Sequence, residues 1–137
     1  MVNLLGEKKM KEVTADSFEN DIINSDAQTI VLFMRAPWCS SCKAMAPRLE
    51  RMAGEHDDFQ LFSLNVEKAP QLARRFKVMG VPTFLIFRHG TLVDRKTGEI
   101  SVERLYKKIS AAAGLDAETA KKNEIKGFFR WPFKRKA

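Results

Sequence analysis

The sequence predicts an α/β fold, in which a central mixed β-sheet of four to five strands is flanked by helices on both faces. Strand and helix patterns alternate along most of the 137 residues, in the order β, α, β, α, β, α, β, β, α. Parallel strands joined through helices place helices on the sheet faces, and two successive strands close such a sheet as an antiparallel hairpin. Residues 29–35 are nearly all apolar, which is typical of a central strand covered on both faces.

The N-terminal part of the chain predicts one short strand and one helix. Residues 1–9 show little pattern, and we expect them to form a variable lead-in. Residues 11–13 fit an edge strand. Asp16 is followed three residues later by Glu19, a helix-start pattern that predicts a helix over residues 17–24.

The longest helix follows directly after the apolar strand 29–35. Six apolar residues then fall at offsets of 0, 3, 4, 7, 10 and 11, which is the spacing of one helix face. They are Cys42, Met45, Ala46, Leu49, Met52 and Ala53. This spacing predicts a helix over about residues 39–55, with Pro47 inside it. A further strand over 59–66 and a short helix from Pro70 to about Phe76 complete the middle of the chain.

The last elements are a hairpin and a helix. The hairpin pairs residues 83–88 with residues 91–96 across a turn at His89-Gly90. Residues 102–113 repeat the amphipathic spacing of the long helix. Gly114 follows them, and we expect it to end the helix in a left-handed conformation.

Length and charge predict one domain with an appendage. A chain of 137 residues forms one well-packed domain and is too short for two ordinary ones. The net charge is +7, and residues 115–137 hold seven basic side chains against three acidic ones. We expect a lead-in at 1–9, a domain over 10–114 and a basic, aromatic-rich C-terminal extension over 115–137. This charge distribution favours a local interaction surface over a nucleic-acid-binding core.

The sequence predicts a soluble, cytoplasmic, monomeric protein. No signal-peptide pattern opens the chain, and no apolar run approaches the ~20 residues that cross a bilayer. Both cysteines lie in one motif, which suits a dithiol that works transiently in a reducing compartment.

Cys39 and Cys42 are the only two cysteines, and they stand at the start of the long helix. Their spacing puts both thiols on one side of a helical turn, where they can form a disulfide with each other or hold one with another protein. Closing so short a loop restricts the unfolded chain little, so redox chemistry explains the pair better than stability does. The alternatives are two buried structural thiols or cluster bridging between two chains. A zinc site would need further ligands, and His56 and His89 lie in unrelated elements.

Motif residues spread over the middle of the chain together resemble the thioredoxin family. They are Ala36-Pro37-Trp38-Cys39-Ser40-Ser41-Cys42-Lys43 with Pro47, Gly80-Val81-Pro82-Thr83, Arg88-His89-Gly90 and Gly98. The resemblance covers roughly residues 13–114. It implies a thioredoxin fold and a thiol–disulfide oxidoreductase that reduces protein disulfides and serves cell redox homeostasis and electron transport.

The resemblance also implies roles for individual residues. Cys39 is implied as the exposed attacking thiol and Cys42 as the resolving thiol, with no cofactor or metal besides their redox-active disulfide. Pro82 corresponds to the family's cis-proline beside the disulfide. Trp38, Val81 and Gly98 correspond to the family's surface for docking the substrate chain, and all four residues are expected to bind substrate. The implied partners are disulfide-containing protein substrates and an upstream electron donor such as a thioredoxin reductase.

Several residues around the pair depart from the family pattern. Ser40 and Ser41 replace Gly-Pro between the cysteines, and their hydroxyls can hydrogen-bond to sulfur. Phe33 stands where the family has a buried Asp that helps to move the proton of the resolving cysteine, and Ser63 stands where a Lys often pairs with that Asp. Arg35 replaces a Trp, and it is expected either to stabilise a thiolate at the first cysteine or to lie on the sheet edge.

These departures predict a slower resolving step and a more acidic first cysteine than in an ordinary thioredoxin. They also leave a second function open, a redox-sensitive protein-binding or chaperone-like module with little turnover.

The C-terminal extension combines a weak helix pattern with an aromatic and basic run. Asp116 is expected to cap a short helix within 115–127, in which Glu118 and Lys122 are paired. Residues 128–136 interleave four aromatic with four basic side chains. Such a run can bind an anionic membrane surface, single-stranded nucleic acid or an acidic partner, or its aromatic side chains can fold back on the domain.

Overall fold

Five strands form one mixed sheet in the part of the chain that the structure, a computed structural model, describes: residues 9–25 and 27–126. The strands are β1 (Lys11–Glu12), β2 (Thr29–Arg35), β3 (Gln60–Asn65), β4 (Thr83–Arg88) and β5 (Thr91–Thr97). Their order across the sheet is β1-β3-β2-β4-β5. β1, β3 and β2 are parallel, whereas β4 runs antiparallel to both of its neighbours, β2 and β5. The predicted α/β class and the closing hairpin are therefore confirmed.

Helices cover both faces of this sheet. They are α1 (Ser40–Glu55), α2 (Pro70–Arg75), α3 (Val102–Ala113), α4 (Ala117–Lys122) and a π-helical turn at Glu19–Ile23. One buried cluster joins α1 and α3 to the sheet and includes Val31 and Phe33, while a second joins α2 and the π-helical turn to the opposite face and includes Leu32. Residues 30–34 of β2 are all apolar because successive side chains of this strand enter the two clusters alternately. Burying each large apolar side chain contributes roughly 1.5–3 kcal/mol to stability.

The first helical segment is shorter than predicted and differs in type. The prediction of a helix over 17–24 is wrong in this respect, since the segment is a π-helical turn whose last bond runs from Asn24 N–H to the Glu19 carbonyl at 2.8 Å. No side chain caps this turn. Instead Thr14 and Ser17, three residues apart, each accept the backbone N–H of the other at 3.0 and 3.1 Å. This reciprocal pair takes the place that the sequence pattern assigned to Asp16.

Helix α3 does not end in the expected left-handed glycine. Gly114 has φ −81°, and its N–H donates to the Ser110 carbonyl at 3.2 Å. Gly114 keeps a right-handed helical conformation, and the carbonyl of the next residue, Leu115, accepts Arg88 Nε from β4. The prediction of a left-handed cap is therefore wrong.

The first part of the predicted extension packs against the sheet. Asp116 caps α4 by accepting the Thr119 N–H at 2.7 Å, and Lys122 pairs with Glu118 at 3.6 Å, as the sequence predicts. Ala120 is fully buried, and the Ile125 N–H donates to the Leu92 carbonyl of β5 at 2.9 Å.

The aromatic and basic run at 128–136 and nearly all of the lead-in at 1–9 lie outside the described residues. The proposed boundaries of the domain and its extension stay predictions. Over the described ranges, no helix combines the length and the apolar character needed to cross a bilayer.

Candidate active site

The two cysteines lie where β2 passes into α1. A turn after β2 brings the Cys39 N–H to the Ala36 carbonyl at 3.1 Å, and α1 begins at the next residue with Cys39 as its N-cap. Cys42 follows one turn inside the helix. Cys39 and Cys42 form a disulfide, with their Cα atoms 5.2 Å apart. The pair therefore lies at a helix N-terminus beyond the carboxyl end of a central strand.

The disulfide is largely buried. Cys39 is 5% exposed and Cys42 is 1% exposed, and both belong to the cluster between α1, α3 and the sheet. The expectation of an exposed thiol at Cys39 is therefore not met in the disulfide form, because the turn from β2 folds this residue against the core. Cys39 is nevertheless the more accessible of the two.

Hydrogen-bond donors surround the Cys39 sulfur. The Cys42 N–H donates to Cys39 Sγ at 3.2 Å, and the Ser41 hydroxyl lies 3.4 Å from the same sulfur. The first turn of α1 holds no acidic residue. These groups and the helix N-terminus all favour a negative charge at Cys39. Ser40 is exposed, and among the hydrogen bonds of the described residues the Cys39 sulfur is bonded to the Ser41 hydroxyl and not to that of Ser40.

The core beside the disulfide contains no buried acid over the described ranges. Phe33 is fully buried, stacks on Phe84 with ring centroids 5.3 Å apart, and shares the cluster of both cysteines. Ser63 is its register partner on β3. The buried polar side chains of the described residues are Thr29, Ser63, Asn65, Thr83 and Thr91, none of which is a carboxylate.

Arg35 ends β2 and is half-buried. Its carbonyl accepts the Val66 N–H at 2.9 Å. Within residues 9–25 and 27–126 its guanidinium forms no hydrogen bond or ion pair, and so it makes no bond to the Cys39 sulfur. The structure therefore gives no direct contact in support of a tuning role.

Trp38 is a large apolar side chain beside the disulfide, and it is 69% exposed. Its indole N–H donates to Glu67 Oε2 at 2.8 Å, and the Glu67 N–H donates to the side chain of Asn65 at 2.9 Å. The sequence reasoning missed Glu67. The available signal was its place just after β3, whose carboxyl end lies at the same sheet edge as the end of β2.

The segment before β4 approaches the pair from the other side. The Val81-Pro82 peptide bond is cis, Pro82 is buried, and Val81 packs against the cluster that contains both cysteines. The Gly98 N–H donates to the Pro82 carbonyl at 2.8 Å, so Gly98 is held beside this segment. The fold thus brings together residues that the sequence separates by more than forty positions.

Sequence reasoning did not select two residues at or next to this segment, Arg95 and Met79. Arg95 of β5 donates from its guanidinium to the Phe76 carbonyl at 2.8 Å and to the Lys77 carbonyl at 3.4 Å, at the end of α2. Met79 is 94% exposed and lies two residues before Val81. Nothing in the local sequence pattern distinguishes either residue.

The two histidines lie apart from the disulfide. His56 follows α1 and stacks on Tyr106, with ring centroids 3.8 Å apart, and His89 lies in the β4–β5 turn with φ 51°. The described residues contain no group of three or more His, Cys, Asp or Glu side chains that could hold a metal ion.

A family model described as Thioredoxin matches residues 9–111. The chain is 33% identical over 104 residues to a thioredoxin of Rhodospirillum rubrum, a match that covers 75% of this chain and 99% of that protein. It is 34% identical over 100 residues to the chloroplastic thioredoxin Y1 of Arabidopsis thaliana, covering 72% of this chain but only 58% of that longer protein.

Solved structures show the same fold. Spinach chloroplast thioredoxin F superposes with a TM-score of 0.70 at 33% identity, over 76% of this chain and 86% of that one. A mutant thioredoxin of Halobacterium salinarum also superposes with a TM-score of 0.70, at 24% identity, over 79% of this chain and 94% of that one. With its matched sequence, its five-stranded sheet and its disulfide at the start of α1, the chain belongs to the thioredoxin family of thiol–disulfide oxidoreductases.

Proposed function

We propose that the chain reduces disulfides of protein clients through a mixed disulfide at Cys39 that Cys42 resolves. The Cys39 thiolate attacks one client sulfur, so that a Cys39–client disulfide forms, the client disulfide breaks and the other client sulfur leaves as a thiolate that takes up a proton. The Cys42 thiolate then attacks Cys39 Sγ, which forms the Cys39–Cys42 disulfide and releases the second client thiol. Two electrons pass from the dithiol to the client.

The observation that carries this proposal is the disulfide at the N-terminus of α1, with the Cys42 N–H directed at Cys39 Sγ. The same N–H can stabilise Cys39 as an attacking thiolate and as the leaving sulfur when the client disulfide re-forms. Cys42 is nearly inaccessible, so a client reaches Cys39 first. This difference in exposure supports Cys39 as the attacking cysteine and Cys42 as the resolving one.

Client docking is proposed at the surface formed by Trp38, Val81, Pro82 and Gly98. A residue before proline favours an extended backbone, and proline has no N–H that could compete for the client's carbonyl groups. An extended client segment can therefore pair with the backbone at Val81, strand against strand, while Trp38 offers an apolar face. Gly98 supports this surface through its bond to Pro82.

The proposed setting is the cytoplasm, where the protein acts as a monomer that a thioredoxin reductase returns to the dithiol form. The C-terminal extension is proposed to supply contact with a membrane surface or an acidic partner. Its basic run is the feature that supports this assignment.

An insulin-reduction assay coupled to a thioredoxin reductase tests the proposal. Wild type is expected to turn over, while Cys39→Ser and Cys42→Ser both stop turnover. The two variants differ in one respect: Cys42→Ser accumulates a mixed disulfide with the client, whereas Cys39→Ser does not. A mixed disulfide that forms at Cys42 in the Cys39→Ser variant at a comparable rate would overturn the assignment of roles.

A second function, a redox-sensitive binding module with little turnover, is favoured by the absence of a buried acid beside Cys42 in the described residues. Without a group that takes the proton of Cys42, the resolving step is slow and clients remain bound. In this case Cys42→Ser and wild type would hold similar amounts of mixed disulfide, and turnover by wild type would be close to background.

A further inference from the structure

Met79 differs from the other methionines that the structure describes. Met34, Met45 and Met52 are buried in the two core clusters, and Met10 is partly buried, but Met79 is 94% exposed. A thioether in solution reacts with peroxide, whereas a thioether packed in a core is protected by its neighbours. Peroxide should therefore reach Met79 well before the buried methionines.

The position of Met79 connects it with the disulfide. It lies two residues before Val81, whose side chain packs against the cluster of Cys39 and Cys42. Across the described residues, Met79 and Trp38 are the two large apolar side chains that are exposed. They precede Pro82 and Cys39 respectively, so each belongs to one of the two segments that meet at the redox-active pair.

We propose that Met79 is a reversible oxidation site, and that its sulfoxide weakens the binding of protein clients at the redox-active disulfide. The thioether sulfur gives two electrons to a peroxide, which leaves one oxygen on sulfur and releases water or an alcohol. A methionine sulfoxide reductase reverses the step, since two of its thiols become a disulfide and the oxygen leaves as water.

The effect on clients follows from the change in polarity. A methionine thioether is apolar and flexible and fits varied side chains, whereas the sulfoxide is polar and must be desolvated before it packs against an apolar client. The oxidised protein should therefore bind clients more weakly, while the chemistry at Cys39 is unchanged. This inference rests on the proposed reductase function, because it concerns the client surface of that function.

The first measurement locates the oxidation. The protein is converted to the disulfide form, so that neither cysteine sulfur is a free thiol, and is treated with hydrogen peroxide. Trypsin places the methionines on separate peptides, with Met79 on residues 78–88, Met45 on 44–48 and Met52 on 52–68. We expect the 78–88 peptide to gain one oxygen at least about fivefold faster than the other two. Equal rates on the three peptides would overturn the inference.

The second measurement tests the consequence. Treated and untreated samples are reduced with dithiothreitol, freed of it, and mixed with insulin or with a small aromatic disulfide in single-turnover exchange. Oxidation is expected to slow exchange with insulin roughly threefold to tenfold, which is the size of effect expected from losing one apolar contact. Exchange with the small disulfide should be unchanged, because the chemistry at Cys39 is unchanged. Met79→Leu, compared with its own untreated sample, should lose this sensitivity.

The outcomes separate this inference from the proposed function. If untreated protein exchanges with neither disulfide, the reductase function fails and the client effect fails with it. If untreated protein exchanges normally and oxidised protein is as fast with insulin, the function stands and the inference is overturned. The inference is also overturned if Met79→Leu slows on peroxide treatment as much as wild type does.

Discussion

Phe33 on β2 and Ser63 on β3 are register partners on the sheet face that packs against α1, the helix that contains Cys42. An aromatic ring and a small hydroxyl thus lie side by side where the family pattern has a charged pair. The two replacements match each other, because a single buried charge without its partner costs several kcal/mol.

Replacing Phe33 by aspartate is expected to lower the stability of the protein and to accelerate the resolving step. Phe33→Asp removes the ring that stacks on Phe84 and buries a carboxyl group, so the free energy of unfolding should fall by about 3 kcal/mol or more. The new carboxyl can accept the Cys42 proton, so the mixed disulfide should decay faster and with a new pH dependence. Urea denaturation and stopped-flow decay of the mixed disulfide measure the two effects.

Two matched variants complete this test. Phe33→Leu loses the ring without gaining an acid, and it should not accelerate resolution. Phe33→Asp combined with Ser63→Lys pairs the charge and should recover part of the lost stability. Acceleration by Phe33→Leu equal to that by Phe33→Asp would show that loosened packing, and not proton transfer, governs the step.

Glu67 is expected to orient Trp38 for client binding. Glu67→Ala removes the acceptor of the indole N–H, a hydrogen bond to a charged group at the surface. We expect KM for insulin to rise about twofold to fivefold with little change in kcat. This rise corresponds to losing a hydrogen bond that contributes roughly 0.5–1 kcal/mol to client binding. Glu67→Gln keeps an acceptor oxygen and is the control. A fall in kcat at unchanged KM would contradict an orienting role.

Arg95 is expected to stabilise the end of α2. Arg95→Met retains the aliphatic part of the side chain but leaves the Phe76 and Lys77 carbonyls without this donor. The free energy of unfolding should fall by about 1–2 kcal/mol. Lys96→Met removes a charge from the next residue of β5, and thermal denaturation should show a much smaller change for it. Equal losses in both variants would assign the effect to charge alone.

Replacing Gly98 is expected to destabilise the protein because of the backbone conformation of this residue and not because a larger side chain would meet other atoms. Its φ is +93°, yet a Cβ built at this position meets nothing within 4 Å. Gly98→Ala should therefore cost about 1–2 kcal/mol through the left-handed conformation alone. At Gly80 the space is equally open and φ lies outside the left-handed region. Gly80→Ala should be nearly neutral in urea denaturation, and a loss as large as that of Gly98→Ala would refute this explanation.

The cap of α4 is expected to weaken in acid. The Thr119 N–H donates to the Asp116 carboxylate and holds the pKa of Asp116 below its usual range. A depressed folded-state pKa means that the cap stabilises α4 above the unfolded-state pKa and is lost as the pH falls through the folded-state value. Asp116→Ala should remove this dependence.

The Ile125 amide reports this effect, since it bonds to Leu92 beyond α4. At neutral pH its hydrogen exchange should be roughly threefold to tenfold faster in Asp116→Ala than in wild type. Exchange that is unchanged in this variant would show that α4 is held by the packing of Ala120 and not by its cap.

Local sequence patterns determined most of the fold and the identity of the redox pair. Apolar residues recur every two positions in a strand and every 3.6 positions in a helix, and prolines and glycines mark the ends of these elements. Both signals depend only on neighbours along the chain. They predicted β2, α1, α2 and α3 close to their observed bounds. The same holds for the two cysteines, since a spacing of three at a helix start is itself a local feature. The local pattern failed at the π-helical turn, where the Thr14–Ser17 pair replaced the expected acidic cap.

Only the tertiary structure decided what surrounds that pair. The Trp38–Glu67 bond joins residues 29 positions apart and the Arg95–Phe76 bond joins residues 19 positions apart. Both depend on strand order and register, which no local pattern contains. The exposure of Met79 and the burial of Cys39 likewise follow from which segments the folded sheet brings together. The sequence thus determined the chemistry of the cysteines, and the packing of distant segments decided which groups surround them.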